Sequence, residues 1–240
     1  MSREIDVETL KLRSRDVDMH RRLRTSELFK LLQEASIRHT EALGMGRDKT
    51  LDKGILWVLL MQRAEIVRMP EYDERVVLKS WPGKTMHLLF PRFYSMETAE
   101  GEPLLKASAL WSLVDEKTRK VVFPEKYGVV IEGAPTGEEI AMPGAVAKED
   151  CVCERDFSVP YSFVDLNGHM NNTRYFDVAR ACIGGEAEGL TLRNIRAAYL
   201  NEALLGDRLS VSYARRGNLW TFEGKKNGEP CFQISLEYES

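Results

Sequence analysis

The 240-residue sequence contains the same order of elements twice. Residues 26–43, "SELFKLLQEASIRHTEAL", carry apolar side chains about 3.6 residues apart, which predicts a helix capped by Ser26 and ended by Gly44. In the second half, "NTRYFDVARACIG" predicts a helix capped by Asn172 that stops at Gly184. Four strand-like runs follow each helix, so the chain is expected to build two copies of one α+β unit.

The strand-like runs match between the two halves. The last run of the first half, "GEPLLKASALWSL" from Gly101, resembles "GEPCFQISLEYE" from Gly228, and both alternate apolar and polar residues. The eight runs are "ILWVLLMQRAEIVRM", "ERVVLKSW", "HLLFPRFYSMET", "EPLLKASALWSLVD", "TLRNIRAAYL", "DRLSVSYAR", "LWTFEGKK" and "EPCFQISLEYE".

The repeat predicts an α+β fold in which two long helices are each wrapped by an antiparallel sheet. The two sheets can pair edge to edge into one continuous sheet, which removes an exposed edge from each copy. A segment rich in proline, glycine and charge separates the copies and is expected to lie across a surface. We therefore predict an N-terminal unit at residues 1–120, a linker at 121–155 and a C-terminal unit at 156–240.

Composition excludes several classes of protein. The longest apolar run, Ile55–Met61, is too short to span a membrane, and the N-terminus has no apolar signal core. The formal charge of -3 does not favour nucleic-acid binding. The few cysteines predict reduced thiols in a cytoplasmic protein. The four cysteines are Cys151, Cys153, Cys182 and Cys231. Only Cys151 and Cys153 are closely spaced, and because they lack a second pair of metal ligands, no metal or other cofactor is predicted.

The segment "VDLNGHMNNTRYFDVARAC" places three polar residues of complementary type before the second helix. In extended backbone, Asp165, Asn167 and His169 would lie on one face. Gly168 allows a turn there, and the helix N-terminus that follows could stabilise an oxyanion. The competing interpretation is structural, since Asx residues commonly cap helices and a single histidine is more often a satisfied structural residue.

This segment resembles the central motif of acyl-acyl-carrier-protein thioesterases, Asp-x-Asn-x-His-x-Asn-Asn-x-x-Tyr. "WVLLMQRAEIVRMPEYDERVVLKSW" is similar to the first-half segment of the same family. The resemblance implies a tandem, or double, hotdog fold, which agrees with the helix-and-sheet repeat. All of the motif's positions are filled, by Asp165, Asn167, His169, Asn171, Asn172 and Tyr175.

The family resemblance also implies a catalytic acid about 33 residues after the histidine, which is Glu202 here. The next residue is Ala203, where the plant enzymes have cysteine, so we expect no thiolate nucleophile. Aligning the two copies through their strands places Met69 opposite Glu202. The second copy is therefore expected to be catalytic, and the first copy is free to shape an acyl pocket.

The reaction implied by the resemblance is hydrolysis of fatty acyl-acyl-carrier protein. Glu202 would activate water as general base, Asn167 and His169 would hydrogen-bond the water or the carbonyl oxygen, and Asp165 would orient them. In an alternative, His169 is the base and Glu202 orients it.

The expected partner is an acidic acyl carrier protein, and a homodimer is possible. The segment Lys11–Arg24 has six basic residues against two acidic ones and could dock the carrier, but an ordinary solvated face is the favoured interpretation. Two other functions stay open. One is an acyl-CoA thioesterase of the hotdog type, and the other is a non-catalytic acyl-binding hotdog protein.

Overall fold

One antiparallel sheet and two helices form the fold. The computed structural model describes residues 4–134, 136, 138–147, 149 and 153–239. The helices are α1 (Thr25–Ala42) and α2 (Arg174–Ile183). The strands are β1 (Asp6–Lys11), β2 (Ile55–Ile66), β3 (Arg75–Pro82), β4 (Leu89–Thr98), β5 (Pro103–Asp115), β6 (Cys153–Ser158), β7 (Thr191–Tyr199), β8 (Arg208–Arg216), β9 (Leu219–Lys226) and β10 (Glu229–Glu239).

The strand order confirms the internal repeat. The ten strands follow the order β1-β3-β4-β5-β2-β7-β10-β9-β8-β6. Counted outwards from the centre, the first half reads β2-β5-β4-β3-β1 and the second half reads β7-β10-β9-β8-β6, which is the same arrangement. The halves join where β2 pairs with β7, in a register that places Met61 opposite Ala198 and Glu65 opposite Asn194. This is the edge-to-edge pairing that the repeat predicted.

Sequence patterns identified the eight central strands but did not predict β1. The β1 side chains are half-buried or exposed, and the strand pairs with β3 along one edge only. An edge strand of this kind needs no continuous apolar face, so its sequence carries a weak signal.

The two helices pack against each other and against the same face of the sheet. The Phe29 and Phe176 rings stack at 4.4 Å between α1 and α2. Helix α2 has 10 residues against 18 in α1, so only the first helix is long. The expected Ser26 cap is wrong: Ser26 lies inside the first turn of α1, where its hydroxyl is buried. One apolar core spans both halves.

The segment between the halves packs on the first half of the sheet. Thr85 N donates to Ile131 O at 2.9 Å, and Ser108 Oγ donates to Ala141 O at 2.7 Å. Ile131 also packs against Phe90 at one end of the helix-facing surface. The boundaries at residues 120 and 155 stay a prediction. Among the described residues, no helix is both long and apolar enough to cross a membrane.

Candidate active site

Residues 164–170 form a tight turn between two bridged residues. Val164 bridges Met170, Asp165 N donates to His169 O at 2.9 Å, and Gly168 N donates to Asp165 O at 3.0 Å. Gly168 has a φ of +81°, a conformation that glycine adopts without steric cost. The expectation of extended backbone is therefore wrong, and the turn that Gly168 allows is confirmed.

The Asp165 carboxylate stabilises this turn. Its Oδ1 accepts a hydrogen bond from Asn167 N at 2.9 Å, which is the geometry of an Asx turn. No described hydrogen bond joins this carboxylate to the His169 ring. The exposed Asn167 amide has no hydrogen-bond partner among the described residues, so it is free to bind a ligand. Asp165 thus acts on Asn167 through the backbone.

The start of α2 is organised by Asn171 rather than by Asn172. Asn171 Oδ1 accepts hydrogen bonds from Thr173 N at 2.9 Å and from Thr173 Oγ1 at 2.7 Å. The expected Asn172 cap is therefore wrong. The Asn172 carbonyl instead accepts a hydrogen bond from Tyr199 Oη at 3.1 Å, which ties the helix entry to β7.

Glu202 lies beside the turn, just after the end of β7. Met170 N donates to Ala203 O at 2.7 Å, so the backbone around Glu202 is attached directly to the turn. Glu202 Oε2 lies 3.2 Å from His169 Nε2. The Glu202 side chain is 42% exposed and the His169 side chain 18% exposed, so solvent reaches the carboxylate. The structure therefore brings together two of the four predicted residues through their side chains.

Arg119 completes this cluster and was missed from the sequence. Its Nη2 lies 3.0 Å from Glu202 Oε2 and 2.5 Å from His169 Nε2. Arg119 is in the turn after β5, in the other half of the chain, where nothing in the local sequence connects it with His169. Its φ of +57° is uncommon for a residue with a side chain. Such conformations are enriched at functional sites.

Arg119 and the four site residues predicted from the sequence line one cleft of about 720 Å³. The four are Asp165, Asn167, His169 and Glu202. A second, mainly apolar pocket of about 400 Å³ lies between α1 and the first half of the sheet. Asn167 and Trp57 line both spaces, so the pocket opens beside the cluster. A polar cleft next to an apolar pocket can hold a reacting group and the chain attached to it.

Cys231 is the described thiol nearest to this strand end, but it is buried. Its Sγ donates to Asn201 O at 2.9 Å, and burial raises the pKa of the Cys231 thiol. Burial also raises the pKa of the Cys182 thiol. Since both thiols stay protonated at neutral pH, neither is an activated nucleophile.

The first copy repeats the turn without its candidate chemistry. Asp18 N donates to Arg22 O at 2.8 Å, as Asp165 N does to His169 O. Arg22 therefore takes the place of His169, and Met69 takes the place of Glu202. Residues 18–24 of the basic segment, except Arg21, line a separate cleft between the two copies, and none of them is in the wall of the candidate active cleft.

The described residues contain no group of three or more metal-ligating side chains placed to hold a metal ion. Of the closely spaced cysteines, Cys151 lies outside the described residues, as does the side chain of Cys153.

Comparison with known families identifies the chain. The acyl-ACP thioesterase N-terminal domain matches residues 6–126, and the acyl-ACP thioesterase C-terminal domain matches residues 147–237. The chain belongs to the acyl-ACP thioesterase family. A chloroplastic acyl-acyl-carrier-protein hydrolase of Cuphea viscosissima is 23% identical over 179 residues, which is 68% of this chain and 43% of that protein. The chain thus spans less than half the length of the curated relatives it matches.

Solved structures confirm the double hotdog fold of this acyl-ACP thioesterase family member. An acyl-ACP thioesterase from Bacteroides thetaiotaomicron superposes with a TM-score of 0.84 at 24% identity, over 100% of both chains. The 12:0-ACP thioesterase from Umbellularia californica superposes with a TM-score of 0.82 at 17% identity, over 98% of this chain and 97% of the other.

Proposed function

We propose that the protein hydrolyses the thioester of fatty acyl-acyl-carrier protein to a free fatty acid and the carrier thiol. The observation that supports this most is the convergence of Glu202, His169 and Arg119 at the mouth of an apolar pocket. Thioester hydrolysis needs a positioned water, a proton acceptor and a site for the oxyanion. The cluster offers a group for each requirement, and family membership supports the same reaction.

Glu202 is the proposed general base, because the short contact with Arg119 uses the lone pair of His169 Nε2. A guanidinium only donates hydrogen bonds, so Arg119 Nη2, 2.5 Å from His169 Nε2, can hydrogen-bond that nitrogen only in the tautomer with the ring proton on Nδ1. We assign this tautomer; in it, the 3.2 Å approach of Glu202 Oε2 to Nε2 is not a hydrogen bond. In this tautomer His169 has no free lone pair for the proton of water, and the Glu202 carboxylate is the remaining acceptor. In the alternative, His169 carries its proton on Nε2, donates it to Glu202 and uses Nδ1 as the base.

In the proposed reaction, Glu202 takes a proton from water as the water oxygen attacks the thioester carbonyl carbon. The free Asn167 amide and the His169 N–H would stabilise the negative oxygen of the tetrahedral intermediate. The C–S bond then breaks, and the proton held by Glu202 goes to the leaving sulfur. Asp165 contributes by fixing the turn that presents Asn167.

The acyl chain would enter the pocket of the first copy. Trp57 and Asn167 line the boundary between the cleft and this pocket, so a thioester held near Asn167 has its chain directed under α1. Both copies would thus be needed: the second supplies Asn167, His169 and Glu202, and the first supplies Arg119 and most of the chain-binding wall.

The decisive experiment compares acyl-carrier-protein and acyl-CoA of equal chain length as substrates of the purified protein. Preferred hydrolysis of the carrier-protein thioester would support the proposal, and preferred hydrolysis of acyl-CoA would favour the acyl-CoA thioesterase. Tight acyl binding without hydrolysis of either would identify a non-catalytic binding protein. Carrier docking by Lys11–Arg24, a cytoplasmic location and a homodimer remain part of the proposal.

A further inference from the structure

Arg92 is a buried guanidinium in the wall of the apolar pocket. It lies on β4 between Phe90 and Tyr94, on the face of the sheet that packs against α1, and is only 4% exposed. Its Nε donates to Ser80 Oγ at 2.9 Å, whereas its Nη2 is buried and has no hydrogen-bond partner among the described residues.

The charge of Arg92 is not paired by the protein. No described carboxylate lies within ion-pairing distance of its guanidinium, and Asp6, which acts on it from further away, is already bound by Arg38 at 2.5 Å. Burial lowers the pKa of Arg92 to about 10, so the side chain is still charged at neutral pH. A buried cation with an open N–H destabilises the fold unless a ligand compensates it.

Three further polar groups on side chains of the same pocket are also unpaired. Trp57 Nε1 on β2, Trp111 Nε1 on β5 and Gln33 Oε1 on α1 are buried without partners among the described residues, and their side chains line the pocket with Arg92. Side chains from four separate elements therefore bring unsatisfied polar atoms to the wall of one apolar space. An unsubstituted hydrocarbon chain would leave all of them unsatisfied, which costs binding energy.

We propose that this pocket takes acyl chains that carry an oxygen function, a hydroxyl, oxo or carboxylate group, which accepts a hydrogen bond from Arg92. Trp57 N–H is a second donor for the same oxygen. The Gln33 amide, which can present either its oxygen or its NH₂ group, can pair with a hydroxyl as donor or acceptor. The inference rests on the proposed thioesterase function and narrows its substrate class.

The first test is a substrate panel for the unmodified protein. Acyl-carrier-protein thioesters of one chain length are compared, unsubstituted or bearing a hydroxyl, oxo or terminal carboxyl group. We expect kcat/KM for at least one oxygenated chain to exceed that of the unsubstituted chain by about tenfold or more, the ratio typical of one hydrogen bond to a charged group. The thioester with the highest kcat/KM identifies which oxygen function the pocket binds. An unsubstituted chain hydrolysed as well as every oxygenated one would overturn the proposal.

The second test removes the guanidinium. Arg92→Met should lower the ratio of oxygenated to unsubstituted kcat/KM by about 10- to 100-fold, and Arg92→Lys should retain part of it. Arg208→Met, which removes an exposed arginine, is the matched control and should leave the ratio unchanged. We expect the melting temperature of Arg92→Met to equal or exceed that of the wild type. A folded Arg92→Met protein with an unchanged ratio would contradict the role of Arg92.

Binding measurements keep the pocket separate from the reaction. If Arg92→Met does not fold, Ser80→Ala, which frees the guanidinium from its only described hydrogen bond, replaces it in the ratio test. If the wild type hydrolyses no thioester, the proposed function fails, and calorimetry with the same acyl-carrier-protein thioesters tests the pocket alone. At least tenfold tighter binding of an oxygenated thioester than of its unsubstituted counterpart would support the pocket proposal, and equal binding would overturn it.

Discussion

Replacing Arg119 tests whether the newly found member of the cluster acts in the reaction. We propose Arg119→Asn, because asparagine tolerates the left-handed backbone that Arg119 adopts at φ +57°. The change should therefore remove the guanidinium without a large folding cost. Lys120→Asn, at the exposed neighbouring position, is the matched control.

The size of the effect follows from the contacts that would be lost. Arg119 Nη2 contacts Glu202 Oε2 at 3.0 Å and His169 Nε2 at 2.5 Å. One charge-assisted hydrogen bond contributes about 1.5–3 kcal/mol. Because the Arg119 and Glu202 side chains are 34% and 42% exposed, water replaces part of the interaction, and we count one bond rather than two. The expected loss in kcat/KM is about 10- to 150-fold.

The assay is release of the carrier thiol from acyl-acyl-carrier protein, with kcat and KM measured separately. If Arg119 positions the reacting groups, most of the loss should appear in kcat. Arg119→Lys should recover part of the rate, since it restores the charge but not the planar guanidinium. A folded Arg119→Asn protein within about twofold of the Lys120→Asn control would show that the contacts have no role in turnover.

Three further outcomes follow from packing and burial. Gly224→Ala should lower the melting temperature of the protein, because the added Cβ would lie 2.0 Å from Phe232 Cε1. An unchanged melting temperature would contradict this close approach. Phe176→Ala should lower the free energy of unfolding by about 3–5 kcal/mol, because a buried ring is lost and a cavity is left beside Phe29. Urea denaturation measures this, and a loss below about 1 kcal/mol would argue against the buried position of Phe176. Because burial raises the pKa of Cys231, its alkylation by iodoacetamide in the native protein should stay slow at pH 7 and begin only at pH values above the ordinary thiol range; rapid labelling at pH 7 would exclude a buried, protonated thiol.

The sequence predicted the fold more completely than the candidate site. Eight strands and both helix locations follow from hydrophobic periodicity, since a chain that buries one face of each element must repeat that face in its sequence. Edge-to-edge pairing of the two sheets also follows, because it removes a free edge from each copy, but the sequence did not identify β2 and β7 as the strands that pair. Strand β1 was missed, because an edge strand can fold with few buried side chains.

The candidate site depends both on a local sequence motif and on contacts between residues far apart in the chain. The contact between Glu202 and His169 was expected from the family motif, which fixes their spacing along the chain. The approach of Arg119 could not be expected, because it depends on how the turn after β5 meets the other half. The turn at Gly168 was expected, but extended spacing was the wrong geometry for Asp165, whose carboxylate is used by the backbone.

The central claim is that Glu202 is the base that activates water, and Glu202→Gln tests it most directly. The substitution keeps the size and shape of the side chain but replaces one acceptor oxygen by an NH₂ group and removes the ability to accept the proton. With saturating acyl-acyl-carrier protein, we predict that kcat falls about 100- to 10,000-fold, while Glu237→Gln, an exposed carboxylate on β10, stays close to the wild type. A Glu202→Gln protein that retains near-wild-type kcat would contradict the claim.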